Sequence, residues 1–336
     1  MINPDAKLVE NIFDEKIAQK PTRDGFGTGT IEAGKADENV VVLCADLSES
    51  TRAEWFQKEF PERFIEMGIA EQNMAATAAG FALAGKIPFM ASYAAFSPGR
   101  NYEQIRTTIA LNKQHVIVCG MHAGVSVGPD GATHQMLEDI GLMRMLPGMV
   151  VIAPSDAEEA RKAVVAAAKV SPFAMPIYIR FGRSPTPVFT TPETPFEIGK
   201  ALLLWDSEKG DSPKLPKVSI LTTGSMAYQA LATARALDAE GVGSIVLSVP
   251  TIKPLDGDAI LEAAKRTGHV VTIEEHNVLG GFGSAVAEFL GEKYPVQITR
   301  LGTQDVFGQS GTPEELLEHY GLSAARITDV VRKIIR

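Results

Sequence analysis

The sequence predicts an α/β protein of two domains, each a mostly parallel sheet covered by helices. Three observations carry that prediction: short apolar runs alternate with helical patterns along nearly the whole chain, a proline-rich break interrupts the rhythm at 183–199, and the same rhythm restarts beyond it. At 336 residues the chain is too long for one ordinary core and suits two. The first domain is placed at 1–190, a proline-rich linker at 191–199 and a smaller second domain at 200–336.

In the first domain "VVVLCADL" (40–47) reads as a buried strand, and "RFIEMG" as a short strand that gives way to a helix over about 70–84. "IPFMASY" (87–93) and "HVIVCG" (115–120) are further strands, with a helix near 99–112 between them. A glycine-rich loop (123–133), the strand "MVVIAP" (149–154) and a helix at 156–169 follow. Ser155, with Glu158 three residues on, predicts a capping box for that helix. Continuously apolar strands separated by helices are the pattern of a parallel sheet covered on both faces. "RSPTPVFTTPETPFEIG" then carries four prolines and no usable period. Beyond it come strands at 218–225, 243–250, 269–276 and near 296–301, with helices at 226–239, 256–266 and 280–290.

A net charge of -9 and a pI near 5.3 argue against nucleic acid, whose binding needs clustered Lys and Arg, and leave a small-molecule or protein partner. Cys44 and Cys119 lie inside apolar runs and read as small core hydrophobes kept reduced. The N-terminus has no apolar segment behind basic residues, and no window reaches the roughly 18 apolar residues of a membrane span, so a cytoplasmic address is expected.

Two glycine-rich stretches imitate phosphate loops. "GFGTGT" (25–30) precedes the first clear strand, whereas a dinucleotide fingerprint follows one. "LGGFGSA" (279–285) follows a strand but lacks the three-glycine spacing and reads as a tight turn. His122, Asp130 and His134 fall in one loop, "HAGVSVGPDGATH". They could ligate a metal, but no Cys or Glu-x-x-His partner supports that, and polar groups converging on a substrate is the stronger reading.

One carboxylate, Glu71, stands at the start of a helix of Ala, Gly and other small residues. The helix dipole alone favours a carboxylate there. In combination, however, "GIAEQNM", "SYAAF", "GPDGATHQ" and "YIRFGR", in this order and spacing, make the chain similar to the C-terminal half of transketolase, a thiamine diphosphate enzyme. The resemblance spans nearly all of the chain: a pyrimidine-binding domain to about 190, then the transketolase C-terminal domain.

That resemblance implies that Glu71 shares a proton with the cofactor's aminopyrimidine, favouring the imino tautomer that removes the thiazolium C2 proton. The small residues after it would let cofactor and partner subunit approach closely. Tyr93 and Phe96 would supply an aromatic platform beside the pyrimidine, with Phe89 or Met90 completing the wall and Asp46 at a cofactor-facing subunit contact. His122 and His134 would line the substrate channel, exchanging protons as carbonyl becomes alcohol, and Asp130 would recognise a sugar hydroxyl. Arg23 and Arg180, helped by Ser50, would bind the substrate phosphate, with Arg183 a further candidate. Without the resemblance, the aromatic pair reads as core, the loop groups as solvated and each arginine as an ion-pair residue.

Enzymes of this family hold the diphosphate through Mg²⁺, using a Gly-Asp-Gly segment and a downstream Asn. Here "GDS" (210–212) and "GDA" (257–259) are the only Gly-Asp pairs, so no metal site is expected on this chain. The resemblance therefore implies the second subunit of a split transketolase: Mg²⁺ and diphosphate are held by an N-terminal partner subunit, in an α2β2 assembly, and this chain is silent alone. The implied reaction transfers a two-carbon ketol unit between sugar phosphates in the pentose phosphate pathway. Alternatives are the β subunit of a 2-oxo acid dehydrogenase, part of a deoxyxylulose-phosphate synthase, or a non-catalytic interaction protein of the same fold.

Overall fold

Seven strands form the first sheet in a computed structural model that describes residues 1–169, 175–209 and 213–335. In chain order the strands are β1 (Val40–Cys44), β2 (Phe64–Glu66), β3 (Ile87–Tyr93), β4 (Ile117–Met121), β5 (Val150–Ile152) and β6 (Ile177–Arg180). The second half supplies β7 (Leu202–Asp206), β8 (Pro216–Thr222), β9 (Gly243–Ser248), β10 (Thr251–Lys253), β11 (His269–Asn277) and β12 (Gln297–Thr303). The first sheet runs β10-β5-β6-β4-β3-β1-β2, parallel except for β10, and the second runs β12-β11-β8-β9-β7, parallel except for β7. Every residue of β1 and β4 is buried, as strands covered on both faces require.

Principal helices are α1 (Thr22–Ala36), α2 (Ala53–Glu59), α3 (Glu71–Leu83), α4 (Asp139–Met145), α5 (Ala157–Ala168), α6 (Met226–Ala239), α7 (Gly257–Thr267), α8 (Phe282–Lys293), α9 (Pro313–His319) and α10 (Ala324–Ile334). Among the described residues none is long and apolar enough to cross a membrane. The glycines of "GFGTGT" turn out to lie inside α1. Glycine weakens a helix by roughly 1 kcal/mol relative to alanine, so propensity alone hides this helix. Packing explains it: a Cβ on Gly25 would meet the Ala157 carbonyl at 2.2 Å, and one on Gly29 the Val164 side chain at 2.8 Å. Only bare backbone lets α1 lie this close to α5.

One local expectation is corrected. The cap of α5 is Asp156, which accepts from the Glu158 and Glu159 amides at 3.0 and 2.9 Å, and Glu159 rather than Glu158 reaches back to the Ser155 amide. The proline-rich stretch from 183 is fastened to α5 at its start, because Asp156 Oδ2 also accepts from the Phe189 and Thr190 amides and Phe189 is buried. Proline denies a segment its period without denying it contacts. The "GDS" stretch at 210–212 lies outside the described residues.

The two halves interlock. Strand β10 leaves the second half to pair antiparallel with β5, and at the other terminus the Asn3 amide donates to Leu204 of β7. One apolar core accordingly runs from Met74 and Ile109 through Val151 to Ile252, Ile260 and Phe282. Cys44 and Cys119 are buried and unpaired, and desolvation raises the Cys44 thiol to about 11 and Cys119 well above its ordinary value.

Candidate functional site

Outside the carboxyl ends of the first sheet, the segments after β1, β3, β4 and β6 converge. The chain turns from β1 outward to β2 and then back past β1 to β3, so the strand order reverses between β1 and β3, where open parallel sheets form ligand crevices. Tyr93 ends β3, and His122 follows β4 directly. The two rings stack at 4.1 Å and 26°, Phe96 stacks on Tyr93 at 5.9 Å and 22°, and His134 meets Phe96 edge-on at 5.5 Å. An aromatic and imidazole wall thus rises where a β-strand and a glycine-rich loop meet.

Behind that wall sit cations. Arg23, in the first turn of α1, donates from Nη1 to His122 Nε2 and to the Ser50 carbonyl, both at 2.8 Å. A guanidinium only donates, so Nε2 must accept and the proton sits on Nδ1. His122 Nδ1 is buried with no partner among the described residues, a donor with nothing to donate to. Burial first, then the cations of Arg23 and Arg183, push the His122 imidazole down to about 3. A lowered imidazole favours the neutral ring, with Nδ1–H as its one donor. His122, Asp46 and Arg52 all hold left-handed backbone, with φ of 55°, 56° and 70°. Such conformations in residues other than glycine cluster at functional sites.

Asp130 accepts from Arg183 at 3.1 Å, and Arg183 also donates to the Val127 carbonyl at 3.0 Å. His134 Nδ1 lies 2.8 Å from the Thr133 hydroxyl. Asp46 is exposed, its amide donating to Glu66. Arg23 lies near two further cations, Arg52, paired with Asp24 at 2.8 Å, and Arg183, and burial and the Arg52 cation lower its guanidinium from the ordinary value.

Glu71 opens α3 and is only 2% exposed. Arg100 donates to both its oxygens, at 2.9 and 2.8 Å, while lying 4.6 Å over the Phe96 ring. Arg100 itself is half exposed. Beyond Glu71 the face of α3 bearing Asn73, Ala76, Gly80 and Leu83 is open to solvent, while Met74, Ala75, Ala78 and Ala79 pack on the sheet. A Cβ on Gly80 would meet nothing within 4 Å, so this side of the helix has room for another surface.

Two site expectations are corrected. Arg180 is 8% exposed and consumed internally: Nε donates to Asp139 at 2.8 Å, and Nη2 to the carbonyls of Glu275 at 2.8 Å and Met136 at 3.3 Å. It points into the interior because it still belongs to β6, whereas Arg183 lies past the strand's end. Phe89 and Met90 are fully buried, Phe89 packing edge-on against Phe26 at 6.4 Å, so neither extends the aromatic wall. Ser50 contributes its backbone carbonyl to Arg23. Sequence reasoning missed Arg100 and Arg52. Arg52 lies two residues beyond Ser50, but Arg100 carries no local signal, since only the turn at 94–101 returns it to Glu71. Among the described residues no three His, Cys, Asp or Glu side chains converge as a metal cage.

The family model for the transketolase pyrimidine binding domain matches residues 18–188, and that for the transketolase C-terminal domain matches 212–327. A transketolase C-terminal section from Methanocaldococcus jannaschii is 42% identical over 94% of this chain and 97% of its own length. A 6-deoxy-6-sulfo-D-fructose transketolase subunit from a Clostridium species is 38% identical over 96% and 97%. Among solved structures, a split gene transketolase described as an inactive beta4 tetramer superposes with a TM-score of 0.84 at 44% identity, covering 94% of this chain and 98% of that one. With both models matched in chain order and these proteins covered nearly end to end, the chain belongs to the transketolase family, carrying its pyrimidine-binding and C-terminal domains.

Proposed function

We propose that this chain is one subunit of a split, thiamine diphosphate-dependent transketolase that moves a two-carbon ketol unit between sugar phosphates. A partner polypeptide contributes the Mg²⁺ and diphosphate half, in a cytoplasmic α2β2 assembly. The observation that carries the reading is the convergence of a sequestered carboxylate, an aromatic wall and three guanidiniums at one end of a parallel sheet.

The residues fit the cofactor. Glu71 is a carboxylate withdrawn from water, its two oxygens accepting from Arg100, and Tyr93 and Phe96 offer flat faces to an aminopyrimidine. When bound, the cofactor supplies a nucleophilic carbon that adds to a ketose carbonyl. This chain's own residues do the rest. His122 presents its Nδ1–H to a substrate oxygen, and its neutrality lets it polarise that oxygen without surrendering charge. Asp130, oriented by Arg183, accepts from a sugar hydroxyl. Arg23, Arg52 and Arg183 set a positive field for a terminal phosphate, or for another terminal anion of similar shape. The sulfosugar specificity in the name of one similar subunit suits that last alternative.

Affinity capture of the tagged chain from its native host tests the assembly. A stoichiometric companion bearing Gly-Asp-Gly and a downstream Asn is expected, and the mixture should transfer a ketol unit from a ketose phosphate to an aldose phosphate. A reconstituted complex that decarboxylates 2-oxo acids instead would overturn the reading.

A further inference from the structure

The loop that carries His122, Asp130 and His134 is held from the second domain. Glu275, on β11, is 3% exposed and spans two segments: Oε1 accepts from the Ser126 amide in the middle of the loop at 2.5 Å, and Oε2 accepts from the hydroxyl of Ser225, just before α6, at 3.0 Å. Gly124 makes room for it. With φ of +94° it lies so near that a Cβ there would meet the Glu275 oxygen at 2.4 Å. A second tie lies farther along, where Gln135 donates to the Val125 carbonyl within the loop and to the Gln309 carbonyl in the second domain, both at 3.0 Å. Arg180 completes the lattice by donating to the backbone carbonyl of Glu275.

We propose that Glu275 is a positioning residue for substrate recognition: by fixing Ser126 it sets the loop on which His122 and Asp130 meet the sugar, and this gives the second domain a role in substrate affinity. Glu275 touches none of the residues assigned to the cofactor, so its loss should act on substrate alone. The inference rests on the proposed function for its kinetic consequence, but not for its structural one.

Two readouts separate them. In the full-length chain, Glu275→Ala should raise amide hydrogen exchange across residues 124–128 by about tenfold or more, the scale for removing a hydrogen bond to a charged acceptor. Glu275→Gln, which keeps an acceptor oxygen for Ser126, should restore most of the protection. In the reconstituted complex, Glu275→Ala should raise KM for the sugar phosphate about tenfold or more while kcat and thiamine diphosphate affinity stay within about twofold of wild type. Unchanged exchange at 124–128 would overturn the clamp whatever the activity, and unchanged KM, or an equal loss of cofactor affinity, would overturn its role in recognition. A wild-type complex without ketol transfer but with faster exchange in Glu275→Ala would sink the proposed function and leave the clamp standing.

Discussion

Glu71 and His122 are equally hidden from water, at 2% and 1% exposure, yet they are held in opposite ways. His122 lies between Tyr93 and Arg23 at the start of a loop anchored to the second domain. Glu71 rests against one half-exposed cation, Arg100, at the edge of a helix face open to solvent. The imidazole is packed from several sides, whereas the carboxylate has one cationic partner beside an open helix face. In the proposed split enzyme, that open face is where a second polypeptide would complete the site.

That contrast can be broken at its strongest point first. Glu71→Gln, in complex with the partner, should cut turnover by about 10²- to 10⁴-fold, the usual weight of a positioned acid or base, with little change in folding. Full activity in this variant would remove Glu71 from the chemistry. Next, Arg180 and Arg183 should separate by kind of effect. Arg180→Ala leaves Asp139 buried without its cation and should cost about 3–5 kcal/mol in denaturant unfolding. Arg183→Ala should leave stability nearly intact and raise KM for phosphorylated sugars about tenfold or more. If the two variants behave alike, the assignment of the phosphate field to the strand's end is wrong.

A smaller effect concerns pH. The folded state holds His122 near 3 against an ordinary 6.5, so below about pH 6.5 the unfolded chain binds the extra proton. This group's contribution is complete above pH 6.5 and is lost as pH falls toward 3, at up to about 1.4 kcal/mol per pH unit. Glu159, raised to about 7 by burial and Asp156, has the opposite sign: its contribution is complete below 4.5 and is lost as pH rises through 7. His122→Asn should flatten the acid limb of a stability–pH curve, and Glu159→Gln the limb between 4.5 and 7. Wild-type slopes surviving in both variants would reject these assignments.

How far the sequence reaches is instructive by region. Strands such as 40–44 and 117–121 were legible because a run of Val, Ile and Leu has few other uses in an α/β chain. Helix α1 was not, since its glycines answer to a neighbouring helix that local propensity cannot sense. In the site, the loop residues could be named together because they share one short segment. Arg180 and Arg183 could not be told apart, because a spacing of three residues does not state where a strand ends. Arg100, Arg52 and Glu275 act through tertiary contacts spanning 28 to 149 positions, between Arg100 and Glu71, Arg52 and Asp24, and Glu275 and Ser126, for which a single sequence carries no period or motif.

The central claim is that this chain holds half of a cofactor site. Calorimetric titration of thiamine diphosphate with Mg²⁺ into the chain alone, the Gly-Asp-Gly partner alone and their mixture tests it most directly. The account predicts saturable, tight binding only in the mixture, weakened when Glu71→Gln replaces the wild type. Binding of the same strength by this chain alone would contradict it.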